Sequence, residues 1–91
     1  MPVEVRVASV MQKLTGEKVL RAQGNTVGEV LEELERRFPG IKSQVIDEGG
    51  DLHRFVNVYR NDEDIRYLGR LETPLADGDT LSILPALAGG S

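Results

Sequence analysis

Three groups of residues in this 91-residue sequence carry the means for chemistry. They are the acidic run Asp62, Glu63 and Asp64, the pair His53-Arg54 with Asp51 just before it, and the diglycine Gly89-Gly90. Three adjacent carboxylates attract a divalent cation, but consecutive acids lack the alternate spacing and central glycine with which a calcium loop wraps its ion. They read as a solvated turn. A histidine between an acid and a base has the parts of a proton-transfer pair, yet no nucleophile stands near it, and it reads as a surface or capping residue. With one histidine and no cysteine, no metal site is expected, because a zinc centre draws its ligands from several such side chains. Gly49-Gly50 lies in an acidic loop that repels phosphate, and no glycine-rich nucleotide-binding motif occurs. Catalysis by side chains is therefore not predicted, and the diglycine is left as the feature to explain.

Gly89-Gly90 follows closely on an apolar segment that stops at Pro85. Five residues beyond Pro85 span at most roughly 17 Å when extended, enough to enter a partner's active site while a globule stays outside. Two glycines keep such an arm thin. The expected division is a domain over 1–85 and a flexible tail over 86–91; on composition alone Ala88, Gly89 and Gly90 read equally as a frayed terminus or as the working part of an arm.

The elements that must carry this arm can be read from residue spacing. Val3, Val5 and Val7 alternate with Glu4 and Arg6, which predicts a strand with one apolar face. A turn through Lys13 to Glu17 leads to a second strand over Lys18 to Ala22. Thr26 and Glu29 form a capping box, and Val27, Val30, Leu31, Leu34 and Phe38 make one apolar stripe down a helix that Pro39-Gly40 ends. After a transition with Val45 and Ile46 packed and a polar loop at 47–51, Arg54 to Arg60 reads as a strand with Val56 and Val58 inward. A turn at Asn61 to Asp64 leads to a short strand near Ile65-Arg66, and Asp77-Gly78-Asp79 turns the chain into a last strand from Thr80 to Leu84. One helix among five strands, without repeated crossovers, is an α+β domain: a mixed sheet of about five strands with one main helix across one face.

Composition narrows the class of function. The chain has 15 acidic and 11 basic residues and a formal charge of -4, which disfavours binding of a phosphate backbone; nucleic acid is not an expected partner. No apolar stretch nears the roughly 20 residues that span a bilayer, and the start lacks the features of a signal peptide, so no membrane is expected. The absence of cysteine points to a reducing cytoplasm.

The stretch from His53 to Arg66, followed by Leu75-Ala76-Asp77-Gly78-Asp79 and by Ile83 to Gly90, resembles the ubiquitin-like sulfur carriers of the MoaD/ThiS type. The similarity runs through nearly the whole chain and is greatest to the thiocarboxylate carrier of cysteine biosynthesis. It implies a ubiquitin-like β-grasp fold and a protein that is not itself an enzyme. By the resemblance, an E1-like adenylating enzyme is expected to activate the carboxylate of Gly90 with ATP, a sulfur donor to displace AMP, and the resulting thiocarboxylate to deliver sulfide. Sulfur then needs no cysteine, and Met1 and Met11 are thioethers that cannot carry it. The implied acceptor is a PLP-dependent cysteine synthase; the alternatives are the large subunit of molybdopterin synthase, or target lysines if the chain is a ubiquitin-like modifier joined through Gly90. ATP, zinc and PLP belong to these partner enzymes, and the carrier binds no cofactor. Ser91 departs from the pattern, because it locks the Gly90 carbonyl in an amide. Either a zinc-dependent JAMM-type metallopeptidase removes Ser91 or the residue is not native.

Parity places the partner surface. With Val56 and Val58 inward, Phe55 and Tyr59 face away from the helix, and with Leu81 and Ile83 inward, Leu84 does too. Phe55, Tyr59 and Leu84 are expected to form an apolar patch at the base of the arm, flanked by Arg6, Arg54 and Arg60.

Overall fold

The computed structural model describes residues 2–85; the tail residues Ala88, Gly89, Gly90 and Ser91 lie outside the described residues. The described chain runs β1 (Pro2–Val7), α1 (Gln12–Thr15), β2 (Val19–Gln23), α2 (Val27–Arg37), α3 (Ile41–Val45), β3 (Val56–Arg60), β4 (Glu63–Asp64) and β5 (Thr80–Pro85). Among the described residues the sheet has the order β2-β1-β5-β3-β4. β1 and β5 are parallel and the other neighbours antiparallel, so the strands met first and last lie side by side in the middle. This is the expected α+β architecture, with α2 as its main helix.

The alternation of β1 decides which side is the core. Val3, Val5 and Val7 are buried, and they meet Leu20 and Ala22 of β2, Val56 and Val58 of β3, and Leu81 and Ile83 of β5. α2 lays Val27, Val30, Leu31 and Leu34 on this face, all without solvent exposure. Its start is the expected one: Thr26 Oγ1 accepts from the Glu29 N–H at 3.2 Å. The reciprocal bond reaches one residue further back, from the Asn25 N–H to Glu29 Oε1 at 2.9 Å. At the other end Gly40 takes φ 104, a left-handed conformation that favours glycine, and the chain turns into α3.

Four local expectations need correction. The turn expected through Lys13 to Glu17 overlaps α1, a single helical turn from Gln12 to Thr15 ended by Gly16 at φ 75. The transition at 41–45 is α3, which buries Ile41 and Val45. β3 begins at Val56 rather than Arg54, because the Val56 N–H closes a turn onto the His53 carbonyl at 3.0 Å. The short strand expected near Ile65-Arg66 is β4 at Glu63–Asp64, and Ile65–Tyr67 winds into a 3-10 turn. The cause of this last shift is local. Asp64 accepts the Arg66 N–H at 2.9 Å, a side-chain cap that competes with strand pairing, and the turn lets Ile65 drop into the core with no exposure.

Candidate functional site

β5 decides where the site lies. Its last residue, Pro85, pairs with Val56, and Leu84 pairs with Asn57. The chain therefore continues toward residues 86–91 from the end of the sheet at which the 53–56 turn stands. The motifs behind the resemblance fix this register at the opposite end of the strand. Asn61 donates its backbone N–H to the Thr80 carbonyl at 2.7 Å, accepts the Thr80 N–H on its side-chain oxygen at 3.1 Å, and donates from Nδ2 to Asp79 at 3.3 Å. Asp79 in turn accepts the Ala76 N–H at 2.9 Å, and Gly78 supplies φ 85 for the turn. A slip of one residue here would exchange Leu84 with Ile83 between the two faces.

The sheet face away from α2 carries the alternate residues. Tyr59 sits opposite Ser82, and Ser82 is level with Arg6, which pairs with Val19 of β2. Tyr59 and Leu84 line one shallow groove with Asn61, Asp62 and Ser82, and this groove adjoins a second one lined by Arg6, Thr80 and the same Asn61, Asp62 and Ser82. Leu84 is 41% exposed. The structure thus brings Tyr59 and Leu84 together. Phe55 is 56% exposed but stands just outside the strand, in the turn before it, where the Arg54 guanidinium lies 5.3 Å from its ring centroid and the His53 ring 6.0 Å away. Strand parity does not govern it; it is a separate knob at the exit end.

Of the expected flanking arginines, Arg6 lines the groove and pairs with Glu4 at 2.6 Å. Arg60 does not flank the patch. It pairs with Leu81, a core residue, so it belongs to the helix-side register, where it donates to the Pro74 carbonyl at 3.3 Å and pairs with Glu63. The sequence reading missed Val19, which is 46% exposed on the open face, and Val10, 62% exposed in the turn that follows β1. The alternation of Val19, Leu20, Arg21 and Ala22 was the signal that could have placed Val19 outward, on the face opposite Leu20 and Ala22.

The other chemically suggestive groups are occupied structurally. Asp51 accepts the Leu52 N–H at 2.8 Å and a two-pronged contact from Arg70 Nη1 at 2.8 and 2.9 Å, and these hold its carboxyl below the ordinary range. It is committed to them rather than to His53. Asp64 caps the following turn and Glu63 pairs with Arg60. Among the described residues no group of three His, Cys, Asp or Glu side chains is placed to hold a metal ion, and no helix is long and apolar enough to cross a membrane. What the described globule presents is an open, partly apolar sheet face with the end of β5 beside it.

The ThiS family model matches residues 5–90, and the chain belongs to the ThiS family. It is 46% identical over 93 residues to the sulfur carrier protein CysO of Mycobacterium tuberculosis, covering 99% of this chain and 100% of that one. It is 33% identical, with the same coverage, to the small archaeal modifier protein 3 of Haloferax volcanii. Among solved structures, the complex of BexX and CysO from Amycolatopsis orientalis contains a chain 49% identical to this one, with a TM-score of 0.89 over 97% of this chain and 99% of that one.

Proposed function

We propose that this protein is a sulfur carrier that delivers sulfide as a thiocarboxylate on Gly90, most directly for cysteine biosynthesis. The observation that carries the reading is the full-length similarity to a sulfur carrier protein in a chain that ends its match on Gly89-Gly90. The globule's contribution is positional. Leu84, Tyr59 and Phe55 offer a surface at the exit of β5, and binding there offsets the ordering of the residues that enter the partner's active site. An E1-like adenylating enzyme joins AMP from ATP to the Gly90 carboxylate and releases pyrophosphate. A sulfide donor then attacks the carbonyl carbon, AMP leaves, and the thiocarboxylate remains. At a PLP-dependent synthase holding an activated serine derivative, the thiocarboxylate sulfur bonds to the side-chain carbon as the activating group leaves, and hydrolysis of the acyl link to the new cysteine returns the Gly90 carboxylate. With Ser91 attached the Gly90 carboxylate does not exist, and hydrolysis of the Gly90-Ser91 bond by a JAMM-type metallopeptidase is the step that exposes it.

Incubation of forms ending at Gly90 and at Ser91 with the adenylating enzyme, ATP and a sulfide donor tests this directly. The Gly90 form should gain about 16 Da by intact mass, one oxygen replaced by sulfur, and be charged at least about tenfold faster than the Ser91 form. Replacing Gly90 by a bulky residue should abolish charging with the fold intact. No mass gain on the Gly90 form would overturn the reading. The similarity to an archaeal modifier protein favours a second use, conjugation through Gly90 to lysine side chains, which would appear as isopeptide-linked products in the same reaction.

A further inference from the structure

Arg66 makes contacts that neither the carrier chemistry nor the core requires. It follows Ile65, which is fully buried, and its own backbone N–H is capped by Asp64, so the base of its side chain is fixed. From there its guanidinium reaches across to the segment before β3. Nη2 donates to the His53 carbonyl at 3.0 Å and to the Val56 carbonyl at 2.7 Å, and Nη1 donates to the Asn57 side-chain oxygen at 3.1 Å. Asp64 lies 3.9 Å from Nη1 and balances the charge. The side chain is 26% exposed, so these bonds are partly shielded from water.

The three acceptors are not a random set. His53 and Val56 are the first and last residues of a four-residue turn closed by the Val56 N–H onto the His53 carbonyl, with Arg54 and Phe55 at its tip. Arg66 therefore clamps both ends of the turn that carries Phe55, and ties it to Asn57, the strand partner of Leu84. A planar fork with several donors can hold three divergent acceptors at once; a lysine ammonium on a flexible stem cannot hold them in one plane.

We propose that Arg66 is a positioning residue for partner docking: it sets the angle at which the Arg54-Phe55 turn is presented beside the exit of β5. The proposal rests on the carrier reading. Arg66 touches no reacting group and acts through Phe55, so its loss weakens engagement of the adenylating enzyme and leaves the turnover of the bound carrier unchanged.

The test is the kinetics of adenylation of the form ending at Gly90, with Phe55→Ala, Arg66→Met, Arg66→Lys and the double variant Phe55→Ala/Arg66→Met, measured well below each melting temperature. Phe55→Ala should raise KM about tenfold with kcat unchanged, and Arg66→Met about fivefold in the same way. The double variant should have the KM of Phe55→Ala alone, because the clamp has nothing left to present. Arg66→Lys should recover less than half of the loss. Amide exchange at residues 54–57 should speed up in Arg66→Met. Equal factors for Arg66→Met with and without Phe55, or an unchanged KM or exchange rate, would overturn the positioning role while the carrier reading stands. Absence of any charging of the parent form would sink the carrier reading, and the docking role of Arg66 with it.

Discussion

The two faces of one sheet are built from alternate residues of the same strands, yet they answer to different demands. Toward α2, Val5, Val58, Leu81 and Ile83 have no exposure and meet Val27, Val30, Leu31 and Leu34 of the helix, which have none either. On the other side, Arg6, Tyr59, Ser82 and Leu84 lie in shallow grooves open to solvent. Neighbours such as Ile83 and Leu84 are chemically alike and one residue apart, so hydrophobicity alone does not assign them. The difference teaches that parity, fixed by the Asn61 and Asp79 bonds at the far end of β5, separates residues that hold the fold from residues free to meet a partner.

The largest effect expected from breaking this division is at Leu81. Leu81→Ala empties part of a fully buried site and should cost about 2 to 5 kcal/mol in urea unfolding, close to the whole stability of a small domain. Leu84→Glu, only three residues away, should change stability by no more than about 0.5 kcal/mol while weakening binding of the adenylating enzyme by about 1 to 3 kcal/mol in calorimetric titration. If Leu84→Glu unfolds the domain instead, the open face is not open.

Thr26→Ala sharpens the same contrast from the helix side, since it removes the side-chain acceptor at the start of α2 without touching either sheet face. A loss of about 1 kcal/mol in chemical unfolding is expected, with charging by the partner unchanged. The smallest effect concerns acid. Glu35 accepts the N–H groups of Lys42 and Gly40, and these bonds hold its carboxyl below its ordinary value of 4.5. A depressed carboxyl stabilises the fold above the unfolded value, and that contribution fades as pH falls below 4.5 through the lower folded value. Thermal melts between about pH 5 and pH 3 should therefore decline less steeply for Glu35→Gln than for the parent chain.

Much of this arrangement was legible in the residues, and the parts that were not have a common cause. β1, α2 and β5 repeat their pattern over enough residues for periodicity to show, and Thr26 and Glu29 announce the helix start by chemistry rather than by count. α1, α3 and β4 are four, five and two residues long, too short for any period to register. The exchange of a strand for a 3-10 turn at Ile65 follows from one Asp64 side chain, a contact that spacing cannot reveal. Tyr59 and Leu84 share the open face that their parity predicts, because they sit inside regular strands. Phe55 and Arg60 were placed less well, since one stands in a turn and the other shares the inward parity. Arg66 could not have been found, because its acceptors are backbone carbonyls and an amide brought near only by the fold.

The parallel pairing of β1 with β5 has a consequence in time. Glu4 lies beside Thr80 and Val7 beside Ile83, so the strand that opens the described chain keeps one edge vacant until nearly the last described residue is available. The β1-β2 hairpin can close early through local contacts, but the centre of the sheet must wait for the closure of the longest loop in the domain, whose entropic cost comes before any reward. On the ribosome, the core would be completed only when β5 emerges, and a nascent chain lacking it would still show β1 and the apolar stripe of α2 to the surrounding machinery. Assembly is therefore close to all-or-none, with the strand that leads to the diglycine serving also as the keystone of the sheet.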